Sequence, residues 1–496
     1  MAVVTAPVGA HARELDPAQV RQALSQQGVK FLLSSFVELS GVPKAKLVPL
    51  THLEDVAREG AGFAGFAAGH LGQGPDSPDI MAMPDLAALL VLPWRPDVAW
   101  VPGDLHVAGQ PSPYCPRGIL KRQIARAAAL SYTFKTGIEP EFFLVRRDER
   151  GRLVLADALD DMAKPCYDQR TLTRNLDFLT TLIGYMQELG WDPYANDHED
   201  ANGQFEIDWA YSDCLTTADR YVFMRYMVKV LAEARGWIAT FMPKPFAHLT
   251  GNGAHVHMSL WDAARGMPLF DGPVDPRGLG LSPLAYHFIA GLTAHARALA
   301  AVTAPTVNSY KRLIAANARS GATWAPIHAS YGGNNRTQML RVPAPGRIEN
   351  RTVDGACNPY LAMTVLLAAG LDGIERGLDP GPPNERNMYE TTAADRGSAT
   401  VLPATLAEAV DAMEGDSVVR AALGDDYAAA YIAAKRDEWE STTTASPPGR
   451  SSTTWTSTEV GDSPLTYDVL SPVNAARLAA KSAPISPLST SRLKIV

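Results

Sequence analysis

Four short segments of this chain gather the residue types that handle metal ions and phosphates. GIEPEFFLV (137–145) places Glu139 and Glu141 just before an apolar run. On a strand, positions i and i+2 share a face. Two carboxylates side by side repel and raise each other's pKa, and a divalent cation between them is one resolution. NDHEDANGQFEIDW (196–209) adds Glu199 and Glu206 on either side of Asn202-Gly203. That dipeptide is a strong hairpin signal, and a hairpin would return Glu206 alongside Glu199. TGNGAHVHMSLW (250–261) offers His255 and His257 on one strand face. Imidazole can join hard oxygen ligands around Mg²⁺ or Mn²⁺. RVPAPGRIENR (341–351) carries Arg341, Arg347, Glu349 and Arg351, and Arg312 (NSYKRL) and Arg336 (NNRTQ) fall in the same third of the chain. Arginine forks grip carboxylates and phosphates through paired hydrogen bonds.

Taken singly, each segment has a plainer reading: a solvated strand edge, a polar hairpin, a structural histidine pair, a surface salt-bridge network. Together they supply five glutamates and a histidine for two divalent ions, and arginines for anions. Phosphoryl transfer needs that combination, metals to bridge nucleotide phosphates and arginines to neutralise charge. The sequence has no GxxxxGK[ST] loop and no kinase signature set, which argues against a P-loop ATPase or protein kinase. Lys plus Arg total 45 against 53 Asp plus Glu, a net charge of −8, so a broadly basic nucleic-acid binder is excluded as a leading idea.

The elements that must position these groups are legible in outline. Leu15, Val20, Ala23 and Leu24 predict a helix within 15–29, after a frayed arm. FLLSSFVELS (31–40) and GVPKAKLVPL (41–50) predict two strands turning at Gly41, and 88–94 and 98–105 a second pair. PSPYCPRG (111–118) reads as a linker opening a helix. Amphipathic helices are expected over 173–190 and 221–236, and apolar core helices over 287–305 and 358–377. The chain has 496 residues, 46% of them hydrophobic, and no run of 18 apolar residues, so neither a membrane span nor a membrane partner is expected. The first residues lack a signal-peptide pattern, and the four cysteines lie far apart, both consistent with a cytoplasmic protein.

The ordered motifs GIEPEFF, HEDANGQFE, TGNGAHVHMSL, NSYKRL, NNRTQMLRVP and GRIENR resemble the glutamine synthetase family, in its type III, γ-glutamylmethylamide synthetase-like branch. The resemblance spans roughly 27–440. It implies an α+β chain with a β-grasp domain (27–110) and a larger catalytic α/β domain (115–440), which the arm and helix (1–26) read from the residues precede. It also implies a homo-oligomer of stacked rings, expected as a dodecamer, with active sites between neighbouring subunits. The implied reaction is ATP-dependent. Glutamate becomes γ-glutamyl phosphate, then a small amine, methylamine or ammonia, displaces phosphate. Two or more Mg²⁺ or Mn²⁺ ions per site would serve it.

Residue by residue, the resemblance gives Glu141, Glu199 and Glu206 to a metal on the glutamate side, and Glu139, His255 and Glu349 to a metal on the ATP phosphates. It gives Arg312 to the substrate carboxylate, Arg351 to the substrate and phosphate side, and Gly251 to the substrate loop. Arg336, Arg341, Arg347 and His257 fall near the transferring phosphate, with Arg336 among the catalytic residues. Two departures stand out. Residues 64–85 lack the Asp-Gly-Ser-Ser motif whose Asp helps hold ammonium in the common bacterial enzyme. RSGATWAPIH (319–328) has Trp324 where the catalytic flap usually carries a Glu. An aromatic face can hold an alkylammonium, whereas a carboxylate favours NH₄⁺. A γ-glutamyl-polyamine ligase and a catalytically silent structural relative are the alternatives, and the full set of six metal ligands argues against silence.

After Glu440 the chain turns Ser-, Thr- and Pro-rich and its periodicity ends, which predicts disorder over 441–496. With codons chosen for it, back-translation of 441–457 with one base of offset gives Tyr-His-His-Arg-Val-Thr-Ala-Trp-Glu-Val-Glu-His-Tyr-Leu-Asp-Val, which is similar to the family's normal ending. The expected cause is a frameshift near Glu440, in the gene or in its sequencing.

Overall fold

The computed structural model describes residues 15–69, 73–313, 325–389 and 400–444. Several of its helices start where the sequence pairs a capping side chain with proline. Asp16, Ser282 and Asn358 each accept a backbone N–H of the first turn, and Pro17, Pro283 and Pro359 follow them directly. Proline suits that position because its missing N–H would have no helical partner there. The first helix covers Pro17–Gln26, inside the expected span.

A seven-stranded sheet follows, with Pro43–Pro49, Phe31–Val37, Arg95–Val107, Ile80–Pro84 and Ala61–Phe63 in that spatial order. Phe31–Val37 and Pro43–Pro49 pair antiparallel around Gly41, whose φ of +84° only glycine adopts readily. Leu90–Leu92 pairs with Arg95–Val107, the second expected pair.

The larger sheet has ten strands and carries the motifs. Its main path runs Pro193–His198, Gln204–Trp209, Tyr132–Arg147, Ala254–Asp262, Ile348–Asn350, Leu340–Arg341, Tyr331–Gly332. Helices Leu176–Glu188 and Cys214–Glu233 fall on the two expected amphipathic stretches. The stretch expected as one helix over 287–305 is two, Pro283–Ala294 and Ala296–Thr303, breaking at His295. The His295 ring at the break meets Asp416 and Asp372, at 2.6 and 3.0 Å. Pro359–Glu375 is buried along nearly its whole length. It lies so close to Pro283–Ala294 that a Cβ on Gly291 would come within 2.0 Å of Ala369 O.

Arg117 ties the first sheet to helix Cys214–Glu233. Buried to 4% exposure, it pairs with Asp85 and Asp104 of the N-terminal part and with Asp219 of helix Cys214–Glu233. Such a charge is stable in the interior only because carboxylates surround it.

The last helix runs Asp425–Thr444, so the expected boundary at Glu440 falls inside it. Thr442 Oγ1 donates to the Glu438 carbonyl, which lets a Thr continue a helix. The remainder of the expected disordered tail, from 445 on, lies outside the described residues. All four cysteines are free, as their spacing implied. Among the described residues no helix is long and apolar enough to cross a membrane.

Candidate active site

Register brings the sequence motifs together. Glu141 of the central strand Tyr132–Arg147 lies opposite Glu206, and Glu139 opposite His255. His257 lies opposite Glu349, and Glu349 opposite Arg341. Because neighbours directly across a sheet share a face, five strands aim these side chains at one place. Asp197, opposite Glu206, and Asp208, two residues beyond it, belong to the same face.

The hairpin differs from the expectation in one respect. Glu206 is paired with Asp197, not Glu199, whose N–H instead donates to Gln204 O. Asn202-Gly203 does centre a tight turn, with Gln204 N donating to Ala201 O and Gly203 at φ +76°, but the strands pair only as far as Glu199 and Gln204, so the loop takes in 200–203.

Two sets of three ligand atoms come within 4.8 Å of one another: Glu139, His255 and Glu349, and Glu141, Glu206 and His255. His255 serves both. Its Nδ1 lies 3.8 Å from Glu139 and 3.7 Å from Glu349, and its Nε2 3.8 Å from Glu141. The first set is the trio that the resemblance implied. In the second, His255 stands where Glu199 was expected. One oxygen of Glu199 accepts the Asp200 N–H, which turns the carboxylate toward its own backbone.

The arginines divide by burial. Arg341 and Arg351 both donate to Glu349, Arg341 at 2.6 Å. Arg312 is buried and donates to the carbonyls of Arg351 and Thr352 at 3.1 and 3.2 Å. Arg336 and Arg347 are exposed. His257 contacts Glu139 through Nε2 at 2.7 Å. Trp324 and the flap's first half lie outside the described residues.

Several positioning residues escaped the sequence reading. Gln204, fully buried, donates to Glu141 Oε2 at 3.0 Å, to Gly251 O at 3.1 Å and to Asn252 Oδ1 at 2.9 Å. Gly253 N–H also donates to Glu141, at 2.8 Å. A Cβ on Gly253 would come within 2.7 Å of His255, 2.9 Å of Arg312 and 3.0 Å of Glu141. The two glycines of TGNG were the visible signal; Gln204 gave none, since a polar strand residue looks like any other.

A sequence model described as "Glutamine synthetase, catalytic domain" matches residues 113–450. The chain belongs to the glutamine synthetase family. It is 47% identical over 415 residues to the glutamine synthetase of Rhizobium meliloti (strain 1021), covering 84% of this chain and 94% of that one. It is 45% identical over 428 residues to the glutamate–methylamine ligase of Methyloversatilis universalis, covering 86% and 96%. Among solved structures, a GmaS/ADP complex superposes with a TM-score of 0.81 at 50% identity, covering 86% of this chain and 97% of that one.

The family resemblance implies divalent ions here, and the donor set fits them. Carboxylates with one imidazole are hard donors suited to Mg²⁺ or Mn²⁺. Separations near 3.8 Å are too long for hydrogen bonds but leave room for an ion bonded to both atoms. Asp208 Oδ1 is buried with no hydrogen-bond partner. The acids also crowd each other. Burial, then the charges of Glu141 and Glu139, push Asp197 up to about 6. Burial, then Glu139 and Asp197, push Asp208 up to about 8. Burial also raises Glu199 and Glu206 well above the ordinary range, reinforced by Glu141 and Asp197 at Glu199 and by Glu199 and Asp208 at Glu206. Glu349 goes the other way: burial raises it, but Arg351 and the histidines bring it down to about 2.

A pH-linked prediction follows. An acid whose folded pKa is raised binds more protons folded than unfolded, so metal-free stability falls as pH rises toward that pKa. For Asp197 and Asp208 the fall spans the range from their ordinary values up to about 6 and about 8. A bound cation favours the ionised forms and releases protons. The gain in Tm on adding Mg²⁺ should therefore be larger at pH 8 than at pH 6. Scanning calorimetry at both pH values, with and without Mg²⁺, checks this; an equal gain at both counts against acids held neutral in the metal-free site.

Proposed function

We propose that this protein is an ATP-dependent ligase that joins an amine, methylamine or ammonia, to the γ-carboxylate of L-glutamate through γ-glutamyl phosphate. The observation that carries it is the pair of ligand sets meeting at His255, flanked by Arg312, Arg341 and Arg351. Glu139, His255 and Glu349 would hold one ion, and Glu141 and Glu206, with Glu199 nearby, a second. The ions, when bound, neutralise phosphate charge and polarise the transferring group.

Arg312 would orient the glutamate carboxylate, with Gly251 in the substrate loop. Arg336, Arg341, Arg347 and Arg351 would neutralise the charge that develops as a γ-carboxylate oxygen attacks the terminal phosphorus and ADP leaves. The amine nitrogen, after shedding one proton, attacks the acyl carbon, and phosphate departs with the bonding pair. The new amide nitrogen sheds a second proton. Our reading also makes the first sheet a β-grasp domain and the assembly a cytoplasmic homo-oligomer, a dodecamer with active sites between subunits, which light scattering can check. The relatives carry both amines in their names, so they leave the acceptor open.

The test is Mg²⁺- and glutamate-dependent phosphate release from ATP with ammonia, methylamine and a polyamine in turn. Trp324 replaces an acid on the flap, so methylamine should exceed ammonia by about tenfold in kcat/KM, and Trp324→Glu should shift preference back. Ammonia-favouring wild-type kinetics would make this an ordinary glutamine synthetase. No release with any amine would make it a silent relative.

A further inference from the structure

Arg312, the proposed clamp on glutamate, is a buried cation that touches no acid among the described residues. Its guanidinium donates to two carbonyls, those of Arg351 and Thr352. Burial pulls its pKa down, and the charges that offset this are Asp354 first and Glu141 second. Glu141 belongs to a proposed metal set, which leaves Asp354. A second buried cation lies close. The stems of Lys244 and Arg312 would come within 3.3 and 3.2 Å of a Cβ on Gly251. The Lys244 ammonium also meets a carbonyl, that of Leu249, rather than an acid. Unpaired buried charge is costly, so this corner of the site favours the arrival of an anion.

Asp354 closes the segment on which the guanidinium rests. It stands two residues beyond Thr352, and its backbone bridges to Gly253 of the substrate loop. Arg312 Nη2 lies 2.9 Å from where a Gly253 Cβ would stand. The Asp354 side chain is fully buried: Oδ1 accepts the Ala356 N–H at 3.0 Å, and Oδ2 has no hydrogen-bond partner. It therefore acts on Arg312 by charge and not by grip. Lys435 of the last helix, Asp425–Thr444, lends a further positive charge, though Glu438 pairs with it at 2.9 Å. Arg225 of helix Cys214–Glu233 directs its donors to the carbonyls of Gly355, Cys357 and Gly41. Tyr221, Tyr310, Tyr431 and Cys357 complete the surroundings, and burial raises the pKa of each, so all four are neutral. Burial raises Asp354 itself to about 6, against the pull of Arg312.

We propose that Asp354 and the non-reacting carboxylate of glutamate compete for the charge of Arg312, and that Asp354 gives way by taking up a proton. The inference rests on the ligase reading above and adds a pH-linked control to its glutamate site. In the empty site at neutral pH, Asp354 is ionised and offsets Arg312. A carboxylate arriving at the guanidinium sets a second negative charge beside the first. One of the two acids must then become neutral, and the buried one is the easier to protonate. The proton comes from solvent and is carried on the Asp354 carboxyl, whose Oδ2 no donor occupies. Asp354 thus acts on the substrate through Arg312 without touching it. The sign follows from linkage. Binding raises the pKa of Asp354, so it draws in a proton, and wild-type affinity for glutamate falls as pH rises above about 6.

The test compares the full-length enzyme with Asp354→Asn, which keeps the shape and an acceptor for Ala356 and removes the charge. With a rise of about one unit on binding, the wild-type KM for glutamate should exceed the variant's by about twofold at pH 6 and about ninefold at pH 8. The KM for ATP should be the same in both. Ligand-free Tm at pH 8 should hold or rise in the variant, because an acid whose folded pKa is raised destabilises the fold once ionised. A merely structural residue would instead lose both stability and affinity. Calorimetric titration with glutamate at pH 7 and saturating Mg²⁺, in two buffers of different ionisation enthalpy, should show proton uptake by the wild type and less by Asp354→Asn. A variant KM equal to or above the wild-type value at pH 8 overturns the competition and leaves the ligase reading standing. Wild-type binding without proton uptake does the same, whatever the variant does. A wild type with no glutamate-dependent phosphate release overturns the ligase reading and this inference with it.

Discussion

Glu349→Gln is expected to remove turnover while leaving a folded protein. Glu349 is fully buried, and its carboxylate is shared by three groups. Arg341 and Arg351 each donate to one of its oxygens, and His255 Nδ1 faces it at 3.7 Å. Gln fills the same volume but brings an amide NH₂ toward two guanidinium groups and no negative charge to a cation. Loss of a metal ligand should cost several kcal/mol of transition-state stabilisation, on the order of a thousandfold in kcat/KM. Glu349→Ala should match that loss and also lower Tm, because it strips a carboxylate from buried Arg351. Phosphate release, Mg²⁺ titration and a melting curve on both variants separate the two effects. Near-normal kcat at saturating Mg²⁺ in Glu349→Gln would remove this residue from the metal site.

How far the site could be read from the sequence depended on whether a residue acts through type and spacing or through register. Glu139 and Glu141, two apart on a predicted strand, and His255 and His257 on another, share faces as their spacing required. That the Glu139 position meets His255, and the Glu141 position Glu206, is a fact of strand pairing that no single segment contains. The Asn-Gly signal predicted a hairpin and found one, but the strands stop pairing at Glu199 and Gln204, and that register gives Glu206 the partner Asp197. Asp197 and Asp208 were passed over because lone acids on strands are usually solvated; here the sheet buries them against three glutamates. Helices were easier, since their apolar periodicity and Pro-led starts are local. The break at His295 was not, because the groups that ring meets, Asp372 and Asp416, are 77 and 121 residues away in sequence.

The second large effect should come from a methyl group. Gly253 sits where the substrate loop crosses the central strand, exchanging backbone contacts with Glu141: its N–H donates to Glu141 Oε2 at 2.8 Å, and its carbonyl accepts the Glu141 N–H at 3.1 Å. Its φ is not in the left-handed region, so alanine strains nothing in the backbone. The obstacle is what the new Cβ meets: His255 Nε2 at 2.7 Å, Arg312 Nη2 at 2.9 Å and Glu141 Oε1 at 3.0 Å. All three are ends of side chains, so the fold can yield by displacing them, and each displacement moves a group assigned to metal or substrate. A shift of an ångström at reacting groups costs on the order of a hundredfold in rate. Gly253→Ala should therefore lose about that much in kcat/KM, weaken Mg²⁺ binding, and keep its circular dichroism. Gly251→Ala is the contrast. Its Cβ would fall 2.3 Å from Pro243 O, a backbone atom that cannot swing aside, so the loop itself must move and Tm should drop along with activity. If Gly253→Ala turned over normally, the space between His255, Arg312 and Glu141 would not be where the reaction takes place.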